Sequence, residues 1–137
     1  MCGSIRRSRR CSLISKTTEC LIRPDGFRDL IDGELAAYRA RNLDEYLSYF
    51  SPDAVIRDAD GNVLMEGELA IREIYGPLFR DSPDLSVEIP RRIEFGDYVI
   101  DEELIDGFNL EGYPRKLRCV AVYRVKDSKI SQVTLLM

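Results

Sequence analysis

Apolar and polar positions along this chain follow two periods. Between Pro24 and Arg41 the residues Phe27, Leu30, Ile31, Leu35 and Tyr38 recur at helical spacing, which predicts an amphipathic helix. Pro24 suits its first turn, and Asp25 and Asp29 complement the helix dipole there. Asn42 and Glu45 form a capping-box-like pair that opens a second, short helix, with Leu43, Tyr46, Leu47 and Phe50 on its buried side and Ser51-Pro52 as its stop. The run 54–58 then alternates as a strand, Asp60-Gly61-Asn62 turns, and Val63–Met65 reads as a short second strand. Helical spacing returns over 68–80 through Ile71, Ile74, Tyr75 and Leu78, where Gly76-Pro77 is expected to kink or end the helix. From Leu85 the period becomes two. Strands are predicted at 85–95, 98–106, 115–125 and 130–137, joined by the hairpin signal Gly96-Asp97 and by the segments NLEGYPR and KDSK.

Consecutive hairpins after an early run of helices predict an α+β domain. A strongly bent antiparallel sheet wraps around the long N-terminal helix, with two further helices, and leaves a cone-shaped pocket between them. The domain spans 24–137, behind a flexible basic N-terminal tail at 1–23.

Composition narrows the classes. With 137 residues, 45% apolar and 32% charged, the chain supports one modest core and is not of the disordered type. No apolar run approaches the ~20 residues of a membrane span, so no membrane partner is expected. A formal net charge of −4 counts against nucleic acid. The charge is uneven: residues 1–23 hold Arg6, Arg7, Arg9, Arg10, Lys16 and Arg23 against Glu19 alone, so the remainder is strongly acidic. This Arg/Ser-rich tail lacks the apolar centre of a secretory signal. An organelle transit segment and a disordered tail are the alternatives, and the tail is the expected one. Cys2, Cys11, Cys20 and Cys119 show no CxxC spacing and there is no histidine, so neither a metal nor a cofactor is expected. The thiols read as free, in a reducing, cytoplasmic compartment. Without histidine, proton transfer near neutral pH falls to carboxylates, tyrosines, lysines or cysteines.

Several residues are candidates for that chemistry. Asp58 falls on the same strand face as Ala54 and Ile56, where it either opens a turn with Ala59-Asp60-Gly61 or lines a cavity. Strand YVIDEELID puts Val99, Asp101, Glu103 and Ile105 on one face and Ile100, Glu102, Leu104 and Asp106 on the other. Its acids either pair with Arg57, Arg91, Arg92 or Arg118 across the sheet or enter the cone. Glu34 sits inside the first helical stripe, and the ordinary expectation puts it at the stripe's edge in water. Tyr38 and Tyr75 pack on apolar helix faces or offer a hydroxyl to a ligand. Ile56, Phe79 and Cys119 read as wall, the thiol having no histidine to activate it.

The segments AAYRARNLDEYLSYFSPDAVIRDADG, EGELAIREIYGPLF and VAVYRVKDSKISQVTLL give residues 25–137 a resemblance to the nuclear transport factor 2-like superfamily. That group includes ketosteroid isomerases, SnoaL-like polyketide cyclases and limonene epoxide hydrolases. The resemblance implies the cone fold. It implies that Asp58 stands where the isomerases carry their proton-transferring aspartate. It also aligns Glu34 with their helix tyrosine and Ala121 with their protonated strand aspartate, so both usual oxyanion donors are replaced. The hydrolase's Asp-Arg-Asp set corresponds to Ile105, Glu103 and Leu135, and is absent. Family parity implies that Asp101, Glu103 and Ile105, then Leu117, Cys119 and Ala121, then Val133, Leu135 and Met137 face the cone.

The expected site therefore has Asp58 and Glu103 as catalytic carboxyls. Glu34, Tyr38, Ile56, Tyr75, Phe79, Asp101, Leu117, Cys119, Ala121 and Leu135 form its ligand-binding surface. The expected partner is a small hydrophobic molecule. Three functions fit this surface: a cofactor-independent isomerase, cyclase or hydrolase, a non-catalytic binder of a hydrophobic ligand, and a dimerising module. The last would make a homodimer through the outer sheet face at Arg118, Val120, Val122 and Arg124.

Overall fold

The computed structural model describes residues 26–137. The expected tail at 1–23, the helix start at Pro24 and three of the four cysteines lie outside the described residues. Helix α1 (Gly26–Ala40) presents the predicted stripe, and Ile31, Leu35 and Tyr38 are buried. Helix α2 (Leu43–Ser48) begins as the capping pair requires: the Glu45 backbone N–H donates to Asn42 Oδ1 at 3.2 Å, and Asn42 Nδ2 donates to Glu45 Oε1 at 3.3 Å. Strands β1 (Phe50–Asp58) and β2 (Val63–Glu66) form a hairpin, followed by α3 (Gly67–Asp81). Pro77 does not end α3, because Leu78 and Phe79 beyond it are buried in the core and hold the last turn in place. No helix among the described residues is long and apolar enough to cross a membrane.

Four long strands complete the sheet: β3 (Ser86–Phe95), β4 (Tyr98–Asp106), β5 (Leu117–Lys126) and β6 (Lys129–Leu136). The spatial order is β2-β1-β6-β5-β4-β3. All neighbours are antiparallel except β1 and β6, which run parallel. Hairpin signals report only sequential pairing, and this pair joins strands from opposite ends of the chain. Pro90 lies in edge strand β3, where its missing N–H is tolerated, and the register shifts between Glu88 and Arg91. The helix α1 is tied to β3 by Arg28 with Glu94 at 2.8 Å and by Arg39 Nε donating to the Val87 carbonyl at 3.0 Å. The core fills the space between α1, α2, α3 and the concave face of the sheet. On the convex face, Val120 and Val122 are half-buried and Arg118 is exposed.

Candidate functional site

The concave face does not close completely on the helices. A cavity of about 400 Å³ remains between α1, α2, α3 and β1, β4, β5 and β6. Most of its lining is apolar, with Leu35, Phe50, Ile56, Met65, Leu78, Val87, Ile105, Leu117, Val133 and Leu135 among the walls. Its polar lining residues include Glu34, Glu103 and the tyrosines Tyr38, Tyr46, Tyr75 and Tyr123.

Glu103 is placed by register. On β4 it lies opposite Cys119 of β5, whose thiol donates to Glu103 Oε1 at 3.5 Å. Four residues further along, on the same face, Tyr123 lies opposite Val99, and its hydroxyl donates to Glu103 Oε2 at 2.9 Å. Ala121 lies between Cys119 and Tyr123 on the same face and is too small to obstruct that reach. Both oxygens are thus occupied in a residue that is only 7% exposed. Burial pushes the Glu103 carboxyl up to about 7, although Tyr123 and Cys119 favour its charged form. The same burial, with Glu103 beside it, pushes the Cys119 thiol up to about 12, where it is inert as a nucleophile.

Glu34 reaches the cavity from α1. It is 2% exposed, and its Oε1 has no hydrogen-bond partner. Burial holds its carboxyl well above the usual carboxylate range, and the charges of Glu103 and Asp101 add to the effect. The ordinary expectation of a water-facing position is corrected: Glu34 follows Ile31 by three and precedes Tyr38 by four, so all three fall on the inner face of α1. Tyr38, Tyr46, Tyr75, Phe50 and Phe79 pack as an aromatic cluster beside it, with Tyr46 and Tyr75 centroids 5.0 Å apart. The tyrosine hydroxyls are held as neutral phenols by burial.

The loop between β4 and β5 forms one side of the mouth, with the exposed Leu64, Ile74 and Met137 also at the cavity's edge. Phe108, Leu110, Glu111 and Tyr113 line it, and the Phe108 and Tyr113 rings meet edge-on at 5.8 Å. Two bonds staple this loop to the end of α3: the Asn109 backbone N–H donates to the buried Ser82 hydroxyl at 3.1 Å, and Asn109 Nδ2 donates to the Asp81 carbonyl at 2.9 Å. Gly107 begins the loop at φ +75°, and a Cβ there would collide with the Asp84 carbonyl, so only glycine fits.

The structure brings together Glu34, Tyr38, Ile56, Tyr75, Glu103, Leu117, Cys119 and Leu135 around the cavity. It places four other predicted residues elsewhere. Phe79 and Ala121 are buried in the core without lining the space. Asp101 is fully buried on the cone-facing side of β4, but Arg92 grips it with two bonds of 2.6 and 2.9 Å, and Arg92 also meets Asp32 at 2.8 Å. Asp101 is thereby committed to an ion pair.

Asp58 is the clearest departure. It ends β1 and closes the turn to β2: Oδ1 accepts from the backbone N–H groups of Asp60 and Asn62, both at 2.9 Å, and Oδ2 accepts from Asn62 Nδ2 at 3.0 Å. These donors, the Asn62 side chain foremost, hold its carboxyl below the usual carboxylate range. The residue does not line the cavity. Its face was read correctly, but at the strand's end that face meets the turn before it meets the hollow. The tyrosines Tyr46 and Tyr123 were missed as site residues. The alternation Leu117-Cys119-Ala121 continues to Tyr123, so parity alone would have found it. Among the described residues no group of three or more Cys, Asp or Glu side chains is arranged to hold a metal ion.

Comparison with known proteins agrees with this architecture. An uncharacterised cystatin-fold protein from Novosphingobium aromaticivorans superposes with a TM-score of 0.72 at 29% identity, over 81% of this chain and 97% of that one. A protein from Sinorhizobium meliloti described as a "putative polyketide cyclase" gives a TM-score of 0.64 at 19% identity, over 78% of this chain and 93% of that one. A ketosteroid isomerase-like protein from Catenulispora acidiphila, solved with trimethylamine, gives 0.61 at 19% identity, over 78% and 83%. No protein with a curated description matches the chain. The SnoaL-like domain matches residues 31–133, from within α1 to within β6, and the chain belongs to that family.

Proposed function

We propose that this protein takes a small, largely apolar molecule into the cone and exchanges a proton with it, with Glu103 as proton acceptor and Glu34 as proton donor. The observation that carries this reading is the pairing of two buried carboxyls with different environments in one apolar cavity. Both oxygens of Glu103 have a donor and it titrates near neutrality, whereas Glu34 leaves one oxygen free and burial holds it well above the usual carboxylate range, against hydrogen bonding to Tyr123 and Tyr46. A protonated Glu34 supplies the hydrogen-bond donor that the isomerase-like pattern draws from a tyrosine at this place. The role first given to Asp58 moves to Glu103. The likeness to the Sinorhizobium meliloti protein so described adds weight to a small-molecule reading and gives no substrate.

A generic carbon-acid probe tests this without knowledge of the substrate. A nitro-substituted benzisoxazole loses its carbon-bound proton to a buried carboxylate and opens to a cyanophenolate. The release rate is expected to rise with pH and level off above about 7 as Glu103 ionises. Glu103→Gln should lower it by about 10²-fold or more, the usual contribution of a positioned base. A rate indifferent to Glu103→Gln, or no reaction in the parent protein, overturns the assignment.

A further inference from the structure

The charges around the cavity are one-sided. Among the described residues its lining includes Glu34, Glu103 and, at the mouth, Glu111, and contains neither lysine nor arginine. Arg92, the cation that acts on Glu103, is already held by Asp101 and Asp32. Glu34 Oε1, fully buried and unpartnered, is an acceptor left open in a site where buried polar atoms are otherwise paired. Five tyrosines line the same space, and such rings favour a cation over an anion. A carboxylate ligand would meet two buried acids with nothing to neutralise it, whereas an ammonium supplies both the missing positive charge and the missing donor.

We propose that the molecule the cone takes is an apolar amine, its ammonium group donating to the free oxygen of Glu34 while its hydrocarbon fills the apolar walls. This rests on the small-molecule reading above and names the ligand's class. With an amine bound, Glu34 is the ammonium's partner and no longer the proton donor, and Glu103 alone exchanges a proton with the ligand. In the empty cavity Glu34 is held protonated by burial and by its acidic neighbours, so the amine binds with release of one proton to solvent. The groups that face Glu34 are Asp101 and Glu103 from β4, Tyr123 from β5, Tyr46 from α2 and Tyr75 from α3, with Tyr38 on its own helix. Glu103 titrates near neutrality, and losing its own proton adds negative charge beside the ammonium, so it works in the same direction.

Three molecules of one shape test the idea: phenethylamine, phenethyl alcohol and phenylacetate, titrated into the full-length protein by calorimetry. The amine is expected to bind at least about tenfold tighter than the alcohol, and phenylacetate not to bind. Amine affinity should rise at least about tenfold from pH 6 to pH 8, with proton release seen as a buffer-dependent heat, while alcohol affinity stays level. Glu34→Gln should remove the preference for amine. The parent series and its pH dependence decide the matter even where a variant fails to fold. Alcohol binding as tightly as amine, or phenylacetate binding at all, overturns the amine proposal. Absence of binding by all three, with benzisoxazole turnover intact, also overturns it and leaves the small-molecule reading standing. Absence of both binding and turnover removes that reading as well.

Discussion

Asp58 and Glu103 are both carboxyls on strands of one sheet, and the fold uses them in opposite ways. Asp58, at the end of β1, collects three donors from its own turn and is stabilised as an anion. Glu103, at the centre of β4, is buried with two neutral donors and a second acid nearby, and is driven toward its protonated form. The turn that employs Asp58 makes it a structural residue with little left to offer a ligand. The cavity that burdens Glu103 makes its proton exchangeable near neutral pH. Residue type does not distinguish these roles; the donors within reach and the access of water do.

Asp101 adds a third acid to this contrast, one that is buried like Glu103 but paired like a surface residue. Removing its partner sharpens the point most. Arg92→Met should destabilise the protein by about 3–5 kcal/mol, the usual result of stranding a buried charge, measured by urea unfolding.

A smaller effect comes from Glu103 itself. Its folded-state pKa lies above its unfolded value of 4.5, so its contribution is complete below about pH 4.5 and is lost as pH rises through about 7. Glu103→Gln should therefore flatten the decline of stability over that window, by on the order of 3 kcal/mol for this degree of shift. Unfolding midpoints that fall as steeply in the variant as in the parent would remove the distinction between the two carboxyls.

The smallest effect is expected at the rim, with the opposite sign in pH. The Asp58 carboxyl is held below its usual value, so its contribution is present above about pH 3.8 and disappears as pH falls. Asp58→Asn should lower the melting temperature slightly at neutral pH, and by progressively less as pH falls below about 3.8. Its benzisoxazole turnover should match the parent's. A large loss of turnover in this variant would return Asp58 to the chemistry.

The fold was legible because its signals are local. The stripe Phe27–Tyr38, the Asn42–Glu45 cap and the alternation of 98–106 each reappear as the expected element. The parallel contact of β1 with β6 was not, because no local pattern encodes a pairing between strands so far apart in sequence. The cavity was legible by parity: Glu103, Cys119 and Leu135 line it as alternation requires. Parity gives a face and says nothing of depth along the strand. Asp101 and Ala121, a cross-strand pair, share the cone-facing side without reaching the space, and Asp58 shares it and stops at the turn. Glu34 illustrates the reverse error, since an acid within an apolar stripe is usually solvated and here is sealed against a cavity.

The staple between Asn109 and the end of α3 separates two properties that are often entangled. Part of the doorway is carried by a loop anchored at Asn109, and the acidic floor by helix α1 and strand β4. Replacing Phe108, Leu110 or Tyr113 refits what is admitted while Glu34 and Glu103 stay in register. A lineage built on this frame can change its clientele by rewriting a single hairpin connection and inherit the interior unaltered.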